Sequence, residues 1–145
     1  EDRIAVLVQP LTGLRSKLVG ETAVALNGVR GDVRTKETNL GNLIADAMLE
    51  KGRPAGAQVA IMNGGGVRAS IDAGQITLGE LLDVQPFGNQ LSLVTLTGAQ
   101  LKEALENGVS QIETVAGRFA QVSGLRIVYD SRRPPPTRRF LGTSA

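Results

Sequence analysis

The sequence contains no cysteine and no histidine in its 145 residues. Without cysteine the chain can form no disulfide, no thiolate metal ligand and no thiol nucleophile. Without histidine it lacks the side chain that most often serves as a general base and as a ligand for transition metals. A self-contained dinuclear metal site or a serine–histidine pair is therefore not expected here.

Aromatic residues and net charge are also scarce. The aromatic residues make up 3% of the chain and are Phe87, Phe119, Tyr129 and Phe140. The net charge is +2, which gives no strong general attraction to nucleic acid. No apolar run approaches the ~20 residues of a membrane-spanning helix. We therefore expect neither a nucleic-acid partner nor a membrane span.

What remains is ordinary globular composition, with 41% hydrophobic and 21% charged residues. Helical spacing of apolar residues predicts a leading helix over 1–18, interrupted by Pro10, and a clear helix over 38–51 capped by Thr38 or Asn39. Capping boxes that begin at Thr77 and Thr97 predict two more helices. The segment 29–36 is polar and is expected to be extended.

Short apolar or β-branched runs predict strands, which are expected at 19–26, 58–62, 91–96, 119–122 and 125–129. The run Leu91–Leu96 reads as a buried strand. Helices and strands alternate irregularly, so we predict an α+β single domain with a mixed β-sheet packed by helices. The expected organisation is a leading helix at 1–18, the main α+β domain at 19–130, and an irregular Pro/Arg-rich tail at 131–145.

The glycine-rich stretch Asn63-Gly64-Gly65-Gly66-Val67-Arg68 directly follows an apolar strand. Glycine can adopt positive φ and approach a ligand closely, and the N–H groups of successive glycines can point at an anion. Arg68 adds a planar cation suited to phosphate. Residue types and spacing fit a ligand-binding loop and a flexible turn with a surface arginine equally well.

A second stretch places Arg34 and Lys36 just before the predicted helix over 38–51. Free N–H groups and the helix dipole make a helix start favourable for anions, so cations there suggest a shared anionic ligand. The equally open alternative is a solvated loop in which Lys36 pairs with Glu37.

A third stretch, Gln85-Pro86-Phe87-Gly88-Asn89, brackets an aromatic ring with turn residues. A ring on such a turn can stack on a flat base, and Asn89 could contact a ring edge. The alternative, which the residues by themselves favour slightly, is that Phe87 is a core residue beneath the turn.

These stretches, in this order, resemble the C-terminal domain of the 5'-nucleotidase and UDP-sugar hydrolase family. The motifs are E-T-N-L-G-N-L at 37–43, N-G-G-G-V-R at 63–68, P-F-G-N at 86–89 and G-R-F-A-Q-V-S-G-L at 117–125. The resemblance covers roughly residues 1–139. It implies a nucleotide-recognition domain that holds base and phosphate, while a separate N-terminal metallophosphoesterase domain carries two divalent metals and hydrolyses the substrate.

The resemblance also implies roles for individual residues. Arg34, Lys36 and Arg68 would hold phosphate or neighbouring polar groups, and Asn63 and Asn89 would hydrogen-bond the nucleoside. Phe87 would stack on the base, while Gly65 and Gly117 would line the pocket. No catalytic residue, metal or cofactor is expected in this chain itself. The implied ligand is a nucleotide or nucleotide-sugar.

Two departures from the family pattern stand out. Lys36 occupies a position where relatives can carry arginine, and lysine lacks the bidentate geometry. The family continues past Asp130 to a second aromatic residue and a Gly-Gly-Asp segment that this sequence lacks, so C-terminal truncation and an inactive isolated chain are expected. Self-association is possible in that case.

The resemblance implies a periplasmic or extracellular location. Alternatives for the function are the equivalent domain of a thiosulfohydrolase or a cyclic-nucleotide phosphodiesterase, and a non-catalytic nucleotide-binding or association module.

Overall fold

A computed structural model describes residues 12–130, 132 and 140–144, the last five as backbone alone. Its strands are β1 (Leu18–Thr22), β2 (Ala60–Asn63), β3 (Gly74–Thr77), β4 (Ala120–Ser123), β5 (Arg126–Tyr129) and β6 (Phe140–Ser144). Its helices are α1 (Arg30–Val33), α2 (Asn39–Gly52), α3 (Leu78–Val84) and α4 (Gly98–Val109), with 3₁₀ turns at Arg53–Ala55 and Gly64–Gly66.

The strands form three antiparallel pairs. β1 pairs with β3, β2 with β4, and β5 with β6. The α+β class is confirmed, although the described strands form these pairs in place of one mixed sheet. The β2–β4 ladder is the pair most important for the candidate site, because it places Asn63 opposite Ala120 and Met62 opposite Gln121.

Helix α2 forms where the apolar spacing predicts it. The Thr38 hydroxyl accepts a hydrogen bond from the Gly41 N–H at 3.0 Å, which satisfies one of the free donors at the helix start. Leu40, Ala45 and Leu49 form its buried face. Pro54 then lies in the 3₁₀ turn that comes next, where a continued α-helix is blocked.

The two predicted capping boxes are present. Thr77 and Glu80 begin α3, and Thr97 and Gln100 begin α4. In each box the Ncap hydroxyl accepts the N3 backbone N–H, and the N3 side chain accepts the Ncap N–H. Helix α3 leads directly into the turn that carries Phe87.

The apolar interior has two clusters. The larger one lies under α1, α2 and α3 and contains Leu26, Val33, Leu40, Val67, Ile71, Ile76 and Val84. The smaller one joins α4 to the β4 region and contains Leu105, Val109 and Phe119.

Three predictions of local structure are wrong. Segment 29–36 is predicted to be extended, but Arg30–Val33 form a helix because burial of Val33 against the larger cluster overrides the local polar pattern. Leu91–Leu96 is not a strand. No described strand pairs with it, and its apolar side chains are exposed, up to 68% for Val94. The third error concerns the tail, because residues 140–144 pair with β5 rather than being irregular.

Most of the predicted leading helix lies outside the described residues. Within them, residues 12–15 are helical and β1 begins at Leu18, so the helix ends before residue 18. The proposed division into segments 1–18, 19–130 and 131–145 stays a prediction.

Candidate functional site

The floor of the candidate site is made of backbone from two loops. The Gly65 N–H donates to the Gly117 carbonyl at 2.8 Å, and the Gly64 N–H donates to the Phe119 carbonyl at 2.7 Å. A Cβ built on Gly65 would lie 2.9 Å from the Gly117 Cα, closer than real Cβ atoms approach. Positions 65 and 117 therefore both need glycine, because their two backbone segments are in contact.

This arrangement corrects one expectation about the glycine-rich loop. Gly64–Gly66 form a 3₁₀ turn, and none of the three has a positive φ. The N–H groups of Gly64 and Gly65 are bonded to Gly117 and Phe119 carbonyls, so they are not donors to an anion. Close packing of backbone, rather than left-handed geometry, explains why glycine occupies these positions.

Arg34 lies over this floor at the end of α1. Its Cζ is 3.7 Å from a Cβ built on Gly117, and its Nη1 donates to the Val115 carbonyl at 3.3 Å. The residue is only 9% exposed, and its buried Nε has no hydrogen-bond partner. Among the described residues Arg34 also has no carboxylate within ion-pair distance.

The electrostatics around Arg34 are unfavourable without a ligand. Burial lowers the pKa of Arg34 below its ordinary value, and the positive charges of Arg30 and Arg68 act in the same direction. An arginine keeps its charge even so, because the ordinary pKa of its guanidinium lies far above neutral pH. A buried cation with an open donor, close to other cations, favours an anion at this place. The charge of Arg30 was not singled out from the sequence.

Arg68 and Phe87 form one wall of the site. The Arg68 Nη1 donates to the Gly65 carbonyl at 3.4 Å, and its Cζ lies 5.6 Å from the centre of the Phe87 ring. This is a cation–π distance. Phe87 is 57% exposed, which contradicts the alternative that it is a core residue and leaves a ring face accessible.

Asn63 reaches the same floor. Its Nδ2 donates to the Gly117 carbonyl at 3.3 Å, so that carbonyl receives bonds from both Asn63 and Gly65. The structure thus brings Arg34, Asn63, Gly65, Arg68, Phe87 and Gly117 into one neighbourhood.

Lys36 and Asn89 are less firmly connected to this neighbourhood. The Lys36 Nζ pairs with Asp32 at 3.0 Å, one helical turn back, and not with Glu37 as the alternative for that segment had it. Its side chain is 61% exposed. Asn89 is exposed in the turn after Phe87 and forms no hydrogen bond within the described part of the chain.

Two residues that the sequence did not single out support the site. Val115, whose carbonyl holds Arg34, has φ +54, a left-handed conformation that is rare for a β-branched residue. Gln121 is 1% exposed and bonds the segment around Arg34. Gln121 lies two residues after the buried Phe119, which directly precedes β4, and this alternation would have marked Gln121 as an inward-facing polar residue. No sequence signal marks Val115.

The described residues hold no group of three or more acidic, histidine or cysteine side chains that could bind a metal ion. Among them, too, no helix has the length and apolar character needed to cross a membrane.

The chain matches one family model and is similar in sequence to known nucleotide-hydrolysing proteins. The family model described as "5'-nucleotidase, C-terminal domain" matches residues 18–141. The chain is 55% identical over 126 residues to the trifunctional nucleotide phosphoesterase protein YfkN of Bacillus subtilis, covering 86% of this chain and 9% of that protein. It is 40% identical over 134 residues to the snake venom 5'-nucleotidase of Crotalus adamanteus, covering 85% and 23% respectively.

The chain is also similar to solved structures of nucleotidases. The crystal structure of a 5'-nucleotidase precursor from Thermus thermophilus matches with a TM-score of 0.88 and 47% identity, over 98% of this chain and 28% of that one. The Haemophilus influenzae NAD nucleotidase shares the fold, with a TM-score of 0.71 at 23% identity over 97% of this chain and 26% of that one. The chain thus spans about a tenth to a quarter of the relatives and structures named here. Because the family model matches residues 18–141, the chain belongs to the family of 5'-nucleotidase C-terminal domains.

Proposed function

We propose that this chain is the nucleotide-recognition domain of a metal-dependent 5'-nucleotidase-type phosphohydrolase. The observation that carries the proposal is Arg34, a nine-tenths buried cation whose Nε has no partner and which lies against the glycine floor. Phosphate is a suitable ligand because guanidinium groups bind it through paired, charge-assisted hydrogen bonds.

The other candidate residues would bind the two ends of the proposed ligand, the nucleoside and the phosphate. Phe87 would stack on the base with its exposed face, and Asn63 and Asn89 would hydrogen-bond the nucleoside. The phosphate would be held by Arg34, Arg68 and Lys36. Lys36 would either break its ion pair with Asp32 to contact the phosphate or attract it electrostatically without contact. Gly65 and Gly117 would allow the ligand to approach the backbone.

Catalysis is proposed to come from a separate N-terminal metallophosphoesterase domain with two divalent metals. Such metals generate a hydroxide nucleophile and stabilise charge on phosphorus, while this chain positions the substrate. The description of the matching family model as a C-terminal domain, and the small share of each relative that this chain covers, support the presence of a further domain. The names of the relatives, a nucleotide phosphoesterase and a 5'-nucleotidase, support the substrate class. A periplasmic or extracellular location is proposed on the same grounds, and fractionation of the source cells would test it.

The test is calorimetric titration of the chain with AMP, adenosine, UDP-glucose and inorganic phosphate. Arg68→Ala should weaken AMP binding about tenfold or more, since charge-assisted hydrogen bonds are worth roughly 1.5–3 kcal/mol. The matched control is Arg126→Ala, which removes one positive charge from an exposed position on β5. Equal loss in both variants, or no binding of any of these ligands to the unaltered chain, would contradict the proposal.

A second candidate is the equivalent domain of a cyclic-nucleotide phosphodiesterase, because the word "phosphoesterase" in the name of the Bacillus relative covers diesters as well as monoesters. Titration with cyclic AMP separates the two, because a cyclic phosphodiester carries one negative charge fewer than AMP at neutral pH. Tighter binding of AMP favours the monoester, and tighter binding of cyclic AMP favours the diester. Binding of thiosulfate in preference to both would favour a thiosulfohydrolase.

A further inference from the structure

Gln121 directs three side-chain hydrogen bonds at one short segment of chain. Its Nε2 donates to the Val33 carbonyl at 3.0 Å and to the Lys36 carbonyl at 2.8 Å. Its Oε1 accepts from the Thr38 N–H at 3.2 Å. Three bonds from one buried amide thus fix the backbone of residues 33–38, which carries both Arg34 and Lys36.

The same side chain is anchored in the other half of the site. Gln121 lies on β4 opposite Met62, and β2 runs on from Met62 into Asn63 and the glycine turn. A Cβ on Gly41 would overlap the Gln121 side chain, so α2 also packs directly against it. Gln121 is therefore the direct hydrogen-bonded link between the segment with Arg34 and the ladder that supports Asn63, Gly65 and Gly117.

A merely space-filling role does not require this chemistry. An apolar side chain of similar volume would fill the position, whereas a buried amide is tolerated because its donors and acceptor are satisfied. Helix α1 has only four residues, so its end is not rigid by itself. The bonds from Gln121 supply the missing constraint at the point where Arg34 leaves the helix.

We propose that Gln121 is a positioning residue that sets the Arg34 guanidinium against the Gly65–Gly117 floor and thereby determines affinity for the phosphate end of the ligand. This inference rests on the proposed function for its ligand, but its structural half does not. Gln121 itself would contact neither base nor phosphate. Its loss should therefore affect phosphate-bearing ligands while leaving the stacking contribution of Phe87 in place.

The first experiment needs no ligand. In ¹H–¹⁵N NMR spectra of the whole chain, the buried Arg34 Nε–H should give a sharp, slowly exchanging signal. Gln121→Met keeps the length of the side chain and removes all three bonds, so this signal should shift and exchange faster, together with the Thr38 amide. An unchanged Arg34 signal in folded Gln121→Met would overturn the inference, whatever the chain binds.

The second experiment measures binding of AMP and adenosine. Gln121→Met should weaken AMP binding about tenfold, because the order that its three hydrogen bonds impose is lost, and should leave adenosine binding nearly unchanged. Val109→Ala is the control for lost stability, because Val109 is buried in the smaller cluster away from segment 33–38. If Val109→Ala weakened AMP as much as Gln121→Met, the positioning role would be wrong.

A third variant, Gln121→Glu, provides conditional rescue. The ionised carboxylate cannot donate to the Val33 and Lys36 carbonyls, whereas the protonated acid can donate one bond. Burial raises the pKa of a carboxyl, so protonation should occur within a measurable pH range. Relative to the unaltered chain at each pH, AMP affinity of Gln121→Glu should recover as the pH falls. A constant ratio would count against the inference, and failure of the unaltered chain to bind AMP would refute the proposed function alone.

Discussion

Arg34 donates a hydrogen bond at 3.3 Å to the carbonyl of Val115, a residue held in the left-handed region at φ +54. A buried charge is thus held by the carbonyl of a residue with a strained backbone conformation. Neither the buried charge nor the strain favours folding. Such combinations are typical of places where binding, rather than stability, determines the residue. Replacing Arg34 should therefore change stability and ligand binding in opposite directions.

Arg34→Met should raise the thermal stability of the chain while abolishing AMP binding. The substitution keeps the apolar stem and removes a buried charge that has no ionic partner among the described residues. Replacing buried charges with apolar groups is neutral or stabilising by about 1–4 kcal/mol in measured cases. Calorimetric melting and AMP titration test both halves, and a fall in Tm would contradict the account of the site.

Substitutions at Val115 should separate strain from hydrogen bonding. Val115→Asn tolerates left-handed φ and should stabilise the chain by up to about 1 kcal/mol. Val115→Pro forces φ to about −65° and removes the N–H that donates to the Ile112 carbonyl at 2.9 Å, so it should destabilise by more than about 1 kcal/mol. Chemical denaturation measures both, and the same sign of change in the two variants would refute the prediction.

Two phenylalanines should respond differently to alanine. Phe87 is more than half exposed, so Phe87→Ala should leave stability nearly unchanged and weaken adenosine binding by ~1–3 kcal/mol, the usual contribution of a stacked base. Phe119 is buried in the smaller cluster, so Phe119→Ala should cost about 3–5 kcal/mol of stability. Denaturation and adenosine titration of both variants check this. Equal destabilisation would place Phe87 in the core after all.

The Thr77–Glu80 capping box should give a defined pH dependence. Hydrogen bonds from the Thr77 backbone and hydroxyl hold the pKa of Glu80 below its ordinary value of about 4.5. The folded chain then binds fewer protons on Glu80 than the unfolded chain does, so the stabilisation is complete above the unfolded pKa and is lost as pH falls through the lowered folded pKa. Melting curves from about pH 6 to pH 3 should show a smaller loss of Tm in Glu80→Gln than in the unaltered chain. Parallel curves would contradict this.

The exposed segment 91–96 should promote self-association. Leu91, Leu93, Val94 and Leu96 are each about half exposed or more, and contiguous apolar surface of this kind favours contacts between molecules. Sedimentation velocity should show larger species as concentration rises, and Val94→Lys should suppress them. Val24→Lys alters a similarly exposed valine elsewhere and serves as the control. A monomer at all concentrations would contradict the prediction.

Local rules predicted much of this fold because they act over a few residues. Thr38, Thr77 and Thr97 each cap the helix that the sequence indicated, and the face of α2 is buried as its spacing implied. The errors arise where distant parts of the chain decide the outcome. Val33 becomes helical through burial against residues far along the sequence, and Leu91–Leu96 lacks the neighbouring strand that a buried strand needs.

The site follows the same division. Gly65, Arg34 and Arg68 could be picked out as residue types, and Phe87 could be placed on a turn. Gly117 was indicated only by the family resemblance. Their convergence depends on the β2–β4 ladder and on Gln121, which are long-range contacts that no local pattern reports. The strained φ of Val115 is likewise invisible in sequence, because valine gives no sign of left-handed geometry.

The contact between Gly65 and Gly117 has a consequence for how such a domain can diversify. Its floor consists of peptide groups, which all residues except proline supply alike, so substitution there can obstruct the site but cannot give it new chemistry. Variation in ligand preference must instead come from the surrounding side chains at positions such as 68, 87 and 89. Relatives with different substrates should therefore share this backbone floor and differ in the side chains that surround it.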